Sequence, residues 1–221
     1  MPVFAYIVVA VAAYLLGSIP FGFLVAKAKG IDIRSVGSGN IGATNAMRVL
    51  GKPVGIFVLL MDALKGIAAC FAGALIYVWF DYHYPGLRPV NISTTTNGQM
   101  MWDKFTIIAG IFAVLGHNYT CWLKFKGGKG IATTAGVYLA LAPWAVLVAL
   151  IVFILAVLIT KYVSVGSIFA AIALPLTVWI MSPQSLFLCI VTTALGALAI
   201  YKHKSNIQRL MGGTENRLGK K

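Results

Sequence analysis

Glycines, small polar side chains and cations recur together between residues 37 and 48, and these residue types bind phosphate. The run is Gly37-Ser38-Gly39-Asn40-Ile41-Gly42-Ala43-Thr44-Asn45, and Arg48 follows it. Closely spaced glycines allow backbone N–H groups to converge on one anion, while hydroxyl, amide and guanidinium groups add further donors. A glycine-rich loop alone is equally typical of a plain turn between helices.

Two further segments have the same character. One runs from Lys124 to Gly130 and contains Lys126 and Gly127-Gly128-Lys129-Gly130, with Gly116-His117-Asn118 ahead of it. A Gly-Gly-Lys-Gly turn that opens a helix offers backbone donors, a helix dipole and a lysine to a phosphate. The spacing is not that of a P-loop, and the alternative is a flexible basic connector.

The last segment lies near the C-terminus, from His203 to Arg209, and Gly212-Gly213-Thr214-Glu215 follows it. A helix there would direct His203 and Asn206 to one face. The alternative is a basic tail that anchors the chain at a membrane surface. Together on one membrane face, the three segments predict a pocket for more than one phosphate group.

The elements that must position these segments are membrane-spanning helices. The chain of 221 residues is 60% apolar and 10% charged, whereas ordinary soluble domains carry roughly 25% charged residues. Its 18 Lys and Arg, against 5 Asp and Glu, fall between apolar runs, which favours cytoplasmic loops over a nucleic-acid-binding surface. The apolar runs are Val3–Ala26, Val54–Phe80, Phe105–Leu123, Ile131–Thr160, Val163–Met181 and Leu186–Ile200.

The topology depends on whether the run from Ile131 to Thr160 is one helix or two. A turn at Ala142–Pro143–Trp144 gives seven spans, and most Lys and Arg then share one face with the tail, as the positive-inside rule requires. One uninterrupted helix gives six spans and breaks that rule. We therefore predict an all-α polytopic membrane protein, a single domain over residues 1–221, with seven transmembrane helices, the N-terminus outside and the C-terminus cytoplasmic.

Three smaller features complete the pattern. Gly17, Ser18 and Pro20 predict a kink near the end of the first span, and the segment from Asp81 to Asp103 is predicted to be an irregular outer loop. Asp62 and Lys65 lie three residues apart inside a span, where charges are costly. They are interpreted either as a functional pair or as a structural ion pair.

Carboxylates are scarce on the predicted cytoplasmic face, where only Asp32 and Glu215 occur. Metal-assisted phosphoryl transfer generally uses carboxylates to hold Mg²⁺, so no metal site and no cofactor are predicted. The three cysteines lack metal-ligand spacing and are interpreted as apolar fillers. Cations and amide donors are then the groups left to stabilise developing charge.

These motifs resemble the acyl-phosphate:glycerol-3-phosphate acyltransferase family of bacterial membranes. The resemblance spans Gly17 to Glu215 and includes Gly30-Ile31-Asp32-Ile33-Arg34, the three phosphate-type segments, and Asp62 with Lys65-Gly66. Thr120 departs from the family, which often has Pro there. The resemblance implies transfer of a fatty acyl group from acyl phosphate to the 1-position of glycerol 3-phosphate, giving lysophosphatidic acid and phosphate. It also implies a multi-pass protein of the bacterial inner membrane, with a cytoplasmic active site and an acyl-phosphate-producing enzyme as partner.

The resemblance also assigns roles. The catalytic groups are expected to be His203, Lys129, Ser38 and Arg48. Lys129 would neutralise the acyl phosphate, while His203 and Asn206 position glycerol 3-phosphate and Glu215 orients a cation or the glycerol. The other substrate-binding residues are expected to be Gly37, Gly39, Asn40, Thr44, Asn45, Lys126, Gly127, Gly128 and Ser164.

Some alternatives stay open at this point. The base that takes the hydroxyl proton is either His203 or a substrate phosphate oxygen, and His117 is either structural or functional. A transporter for a phosphorylated solute would also suit a basic mouth and a buried ion pair, although the chain has no inverted repeat. A scaffold that binds lipid head groups by positive charge is a third interpretation.

Overall fold

A computed structural model describes residues 3–84 and 97–219, and every regular element within them is a helix, as predicted. The ten α-helices are α1 (Val3–Ser18), α2 (Phe21–Ala28), α3 (Ala43–Leu50), α4 (Lys52–His83), α5 (Asn97–Asn118), α6 (Ile131–Leu141), α7 (Pro143–Thr160), α8 (Val163–Met181), α9 (Leu186–Lys202) and α10 (Lys204–Met211). A short 3₁₀ turn, Cys121–Leu123, lies between α5 and α6.

The kink predicted in the first span is confirmed as the break between α1 and α2. Proline has no N–H to donate and clashes with the preceding turn, so α1 ends at Ser18 and α2 begins at Phe21, after Pro20. The break leaves backbone carbonyl groups without donors inside the helix, and side chains of other elements donate hydrogen bonds to them.

The long apolar run from Ile131 to Thr160 is also two helices, as predicted. Ala142, with φ −153° and ψ 70°, lies outside helical space. Pro143 then occupies the first position of α7, where its missing N–H costs nothing. One helix therefore ends at Leu141 and the next begins at Pro143, with only Ala142 between them.

Within the described residues, five helical stretches are long and apolar enough to cross a membrane, and six if the bent pair α9–α10 forms one span. A seventh span rests on α6, whose 11 residues extend about 16 Å at about 1.5 Å per residue. That is about half of a hydrocarbon core of about 30 Å. The seven-span count and the orientation of the termini thus stay predictions.

The predicted outer loop is shorter than expected. Its start, Asp81–His83, is the last turn of α4, and α5 already begins at Asn97. The helix therefore extends beyond the apolar run, through polar residues that periodicity alone does not assign to a span. Residues 85–96 lie outside the described part of the chain.

Packing divides the chain into two compact units, residues 1–141 and 142–221. In the first unit, α1 packs on α5 and α4 packs on α6. Glycines make these crossings close: Gly116 faces the backbone of Tyr14 on α1, and Gly136 faces the backbone of Ala63 on α4. Without a hydrophobic force between helices in lipid, small residues at crossings provide the van der Waals contact that holds a bundle.

In the second unit, α8 packs between α7 and α9. Gly166 of α8 lies against Phe153 and Val157 of α7, and Gly196 of α9 lies against Ala171 of α8. A hydrogen bond of 3.1 Å from Trp179 Nε1 to Thr193 Oγ1 joins α8 to α9. Small-residue packing therefore recurs in both units.

We expect Gly136→Val to destabilise the first unit, because the added side chain would overlap the backbone of Ala63. Overpacking of this kind costs about 1–3 kcal/mol. Ala140→Val is the matched control, since it introduces the same residue at an exposed position of the same helix. Thermal unfolding in detergent should show a clear loss for the first variant and little change for the second. Equal melting temperatures would disprove the crossing.

Candidate active site

The loop before α3 is organised from within by the buried side chain of Asn45. Its Nδ2 lies 2.9–3.2 Å from the carbonyl oxygens of Ile33, Val36 and Asn40. Its Oδ1 accepts the backbone N–H of Ser38 at 2.8 Å. The side-chain amide of Asn45, which was predicted to bind phosphate, is thus hydrogen-bonded within the loop itself.

Glycine is required at two positions of this loop. Gly37 and Gly39 have φ of +61° and +70°, a region that side chains disfavour, and a Cβ on Gly37 would overlap Asn45 Oδ1. The Asn40 side chain accepts the N–H of Gly42 at 2.8 Å. The loop is thus held in one shape before any ligand arrives.

Helix α3 begins where the loop ends and presents Thr44 and Arg48, four residues apart, on an exposed face. The first N–H groups of a helix have no intrahelical acceptor and carry partial positive charge. Ser38, in the loop that precedes this helix, is half-buried. Backbone donors, hydroxyls and a guanidinium are therefore available in one short stretch.

The second segment is a turn that folds back on the end of α5. The N–H of Gly127 donates to Asn118 O at 3.2 Å, and the N–H of Gly128 donates to His117 O at 3.0 Å. Gly130, with φ +84°, ends the turn, and α6 begins at Ile131. The prediction that this turn opens a helix is confirmed.

Polar groups surround the start of α6. The hydroxyl oxygens of Thr133 and Thr134 are buried and have no hydrogen-bond partner in the described chain. Lys129 is half-buried, whereas Lys126 is exposed. Buried hydroxyls are normally satisfied, so this helix start has donors to offer to a ligand.

One apolar cluster supports both of these segments. It contains six buried side chains: Ala26, Ile33, Ile41, Ala46, Val58 and Leu123. Ile33 and Ile41 come from the first loop, and Leu123 directly precedes the second segment. The first predicted phosphate segment and the residue directly before the second therefore pack in one shared core.

An apolar groove of about 300 Å³ opens beside this core. It is lined by Ile19, Pro20, Phe23, Leu24, Trp122 and Leu123. The Arg34 guanidinium lies 4.9 Å from the centre of the Phe23 ring, and Arg34 also pairs with Asp32 at 2.7 Å. That hydrogen-bonded pair lowers the pKa of Asp32 to about 2, so an apolar surface has a charged rim.

In the second unit, His203 joins α9 to α10. Its ring is buried, and Nδ1 lies 2.7 Å from the carbonyl oxygen of Ala199. A carbonyl only accepts, so Nδ1 carries the hydrogen, and in the neutral ring Nε2 holds the lone pair. The N–H of Asn206 donates to His203 O at 2.8 Å, which places both predicted residues at the first turn of α10.

Glu215 is the hub of a hydrogen-bond network in this unit. Its Oε1 accepts from Ser164 Oγ at 2.9 Å and from Asn206 Nδ2 at 2.7 Å, and its Oε2 accepts from Arg209 Nε at 2.7 Å. Burial opposes ionisation of Glu215, but these three donors outweigh it and hold its pKa below the ordinary value. Of the predicted substrate contacts, Ser164, Asn206 and Glu215 thus hold one another.

Arg209 is a partner of Glu215 that sequence reasoning did not single out. The available signal was its position six residues before Glu215, the only acidic residue of the C-terminal tail. Paired charges in a basic tail are more specific than charge alone. Glu215 was predicted to orient a cation or the glycerol, and Arg209 is a cation that it contacts.

Thr120, where the family often has Pro, keeps a backbone conformation that proline could also adopt. Its φ of −63° is the value that proline itself would impose. Its hydroxyl donates to the carbonyl oxygen of Ser18 at 2.6 Å, and so satisfies one of the groups freed by the break between α1 and α2.

Comparisons with known proteins identify the family. A family model described as Glycerol-3-phosphate acyltransferase matches residues 7–213. The chain belongs to that family. The glycerol-3-phosphate acyltransferases of Geotalea daltonii and Geobacter sulfurreducens are each 44% identical to it, over 95% and 96% of this chain and 96% of each relative.

Solved structures agree with this membership. The crystal structure of PlsY (YgiH), an integral membrane glycerol 3-phosphate acyltransferase in its glycerol 3-phosphate form, is similar with a TM-score of 0.81 at 38% identity. The match covers 97% of this chain and 96% of that one. A lysophosphatidic acid form gives 0.78 at 36% identity. The chain therefore has the all-helical integral-membrane fold of the family.

We expect Glu215→Gln to lower the melting temperature near neutral pH, by the equivalent of about 1–3 kcal/mol, because the network loses a buried acceptor. The depressed pKa gives the wild type stability that is present above the unfolded-state pKa and lost as pH falls through the folded-state pKa. The gap between wild type and variant should therefore shrink on acidification below the ordinary value of 4.5.

Asp32→Asn is the control for this experiment. Its carboxylate also has a lowered pKa, but the pair with Arg34 is exposed, and exposed pairs contribute little to stability. Melting curves of this variant should follow those of the wild type. A gap for Glu215→Gln that does not change with pH would contradict the ionised network.

Proposed function

We propose that this protein transfers a fatty acyl group from acyl phosphate to the 1-hydroxyl of glycerol 3-phosphate, releasing lysophosphatidic acid and inorganic phosphate. Family membership supports the acyltransferase activity. The names of the two bound forms of PlsY, glycerol 3-phosphate and lysophosphatidic acid, support the acceptor and the product.

The observation that carries the proposal is the pairing of two phosphate-type segments around one apolar core. The Gly37–Asn45 loop is held rigid by its own amide, and the Gly127–Gly130 turn is held by carbonyls of α5. Donors fixed in place before the reaction stabilise charge without reorganisation. A reaction between two phosphate-bearing molecules needs such donors twice.

Acyl phosphate is the donor that best suits these residues. It is a mixed anhydride, so the glycerol oxygen can attack the carbonyl carbon, the bond from that carbon to the phosphate oxygen breaks, and phosphate leaves. The hydroxyl proton passes to a base. No covalent enzyme intermediate is required, and positioning with charge stabilisation supplies the acceleration.

We assign roles from the groups each element offers. Lys129 and the N–H groups around it neutralise the acyl phosphate, with Lys126 at the exposed edge. Ser38, Asn40, Thr44 and Arg48 bind phosphate on the first loop, shaped by Asn45. In the second unit, His203 and Asn206 position glycerol 3-phosphate, and Glu215 holds Asn206 and Arg209 in place.

The apolar groove suits the acyl chain. Its lining residues include Phe23, Leu24 and Trp122, and the cation of Arg34 lies at its rim. A fatty acyl phosphate has the same distribution of character, with an apolar chain and an anionic head. Proximity of the groove to the shared core supports an acyl chain that runs along α2.

We propose further that the chain spans the bacterial inner membrane seven times, with its N-terminus outside and the three segments on the cytoplasmic face. The positive-inside distribution of Lys and Arg supports this orientation. A partner enzyme that makes acyl phosphate would supply the donor.

The first test is phosphate release from the purified protein given palmitoyl phosphate, with and without glycerol 3-phosphate. Release should require both substrates, and palmitoyl-CoA should not replace the acyl phosphate. Lys129→Ala should lower kcat/KM roughly 100-fold, because it removes one charge-stabilising donor. Lys29→Ala removes the same charge at an exposed site outside the segments and should stay near wild type.

The opposite outcomes are informative. Acyl transfer to glycerol 3-phosphate from palmitoyl-CoA, without palmitoyl phosphate, would show that acyl-CoA and not acyl phosphate is the donor. No release from a folded preparation would reject acyl transfer from acyl phosphate and direct attention to glycerol 3-phosphate flux in liposomes, as a transporter requires.

We propose Nε2 of His203 as the base that takes the hydroxyl proton, in addition to its positioning role. His203→Gln should therefore lower kcat roughly 100-fold and remove the acidic limb of the pH–rate profile. His83→Gln is a matched control, since His83 Nδ1 also contacts a carbonyl four residues earlier, Trp79 O, at 2.8 Å. Full turnover by His203→Gln would assign the proton to a substrate phosphate oxygen.

A further inference from the structure

Three ionisable side chains of the first unit form a cluster that the proposed reaction leaves unused. Asp62 and Lys65 of α4 and His117 of α5 are 2%, 3% and 6% exposed. Asp62 Oδ1 lies 2.8 Å from Lys65 Nζ and 3.5 Å from His117 Nδ1. Lys65 Nζ also donates to the carbonyl oxygen of Ile19 at 2.8 Å.

Stability alone does not explain this cluster. A buried ion pair costs desolvation that its attraction repays only in part, and apolar residues of similar size often serve as well. The helices concerned are already held by close packing, since Gly73 of α4 lies against Ala109 and the backbone of Phe105 on α5. These charges therefore point to a role in the two segments that the cluster joins.

One end of the cluster lies at the break between α1 and α2. Ile19 O, at the break between the two helices, accepts from the N–H of Phe21 at 3.2 Å and from the ammonium group of Lys65 at 2.8 Å, and the Phe21 ring lies 5.8 Å from the same Nζ. In lipid a carbonyl at a helix break needs donors of this kind. Lys65 is thus anchored, and it fixes Asp62 in turn.

The other end lies at the glycine turn. His117 contacts the turn twice: its carbonyl oxygen accepts the N–H of Gly128 at 3.0 Å, and its ring occupies the place where a Cβ of residue 128 would be. The orientation of the ring therefore determines where the Gly127–Gly130 backbone can lie. Asp62 is the carboxylate that contacts this ring.

We propose that Asp62, anchored by Lys65, is a positioning residue for the phosphate-binding turn. It orients His117, and through this ring it sets the backbone donors of Gly127–Gly130 and the side chain of Lys129. The inference rests on the proposed function, in which this turn holds a substrate phosphate. Asp62 itself touches no substrate.

The test compares Asp62→Asn with Cys70→Ala. Cys70 is buried on the same helix, two turns further on, and its Sγ lies 3.7 Å and 3.9 Å from the backbone carbonyl oxygens of Thr106 and Val137. Asp62→Asn should raise the KM for acyl phosphate, the substrate assigned to this turn, roughly ten- to a hundredfold, as expected for a small misplacement of binding groups. Cys70→Ala should lower the melting temperature without changing KM.

The double variant Asp62→Asn/Lys65→Met separates positioning from charge balance. It removes both charges, so an effect due only to an unpaired lysine should disappear. If Asp62 positions His117, the double variant keeps the raised KM, since the ring still lacks its carboxylate. A double variant with wild-type KM would overturn the proposal, as would an Asp62→Asn variant that loses only thermal stability.

A binding measurement distinguishes this proposal from the proposed function. Stabilisation of the protein by inorganic phosphate and by glycerol 3-phosphate, read as a rise in melting temperature, needs no acyl donor. Weaker stabilisation of Asp62→Asn than of Cys70→Ala supports positioning even if palmitoyl phosphate proves inactive. Equal stabilisation of both variants by both ligands rejects it even if acyl transfer is established.

Discussion

The break between α1 and α2 is the constraint on which the first unit depends. A helix inside a membrane must satisfy its own backbone, and carbonyl groups at the break near Pro20 have no donor within α1, because the helix ends there. Ser18 O accepts from the hydroxyl of Thr120, and Ile19 O accepts from the ammonium of Lys65 as well as from the N–H of Phe21. The break thereby ties α1 to α4 and to the segment after α5.

These ties explain why the charged and polar groups of the unit lie where they do. A lysine that serves a carbonyl needs a counter-ion, which Asp62 provides, and Asp62 then reaches His117. Glycines at the helix crossings allow this, because the backbones of α1 and α5, and of α4 and α6, approach closely there. Packing and polar satisfaction therefore reinforce each other.

The two units reach rigidity by different means. The first loop is held by the side-chain amide of Asn45, which bonds to backbone groups of other residues of the loop. The tail uses a carboxylate, Glu215, with donors from α8 and α10. Both arrangements fix donors before substrate arrives, which is the condition under which electrostatic stabilisation is effective.

The sequence alone determined the class of the protein, the positions of two helix breaks and the three phosphate-type segments. Apolar runs predict membrane helices, prolines mark the breaks at residues 20 and 143, and the motifs indicated the family. These are local properties, since a missing N–H or a run of apolar residues acts whatever surrounds it. Only the tertiary structure decided what each polar side chain does. Asn45, Glu215 and Thr120 all carry groups that could bind a ligand, yet they bond to partners from 5 to 102 residues away. Which acceptor lies within 3 Å depends on how helices cross, and the position of a crossing is a property of the packed bundle that no short stretch of sequence contains.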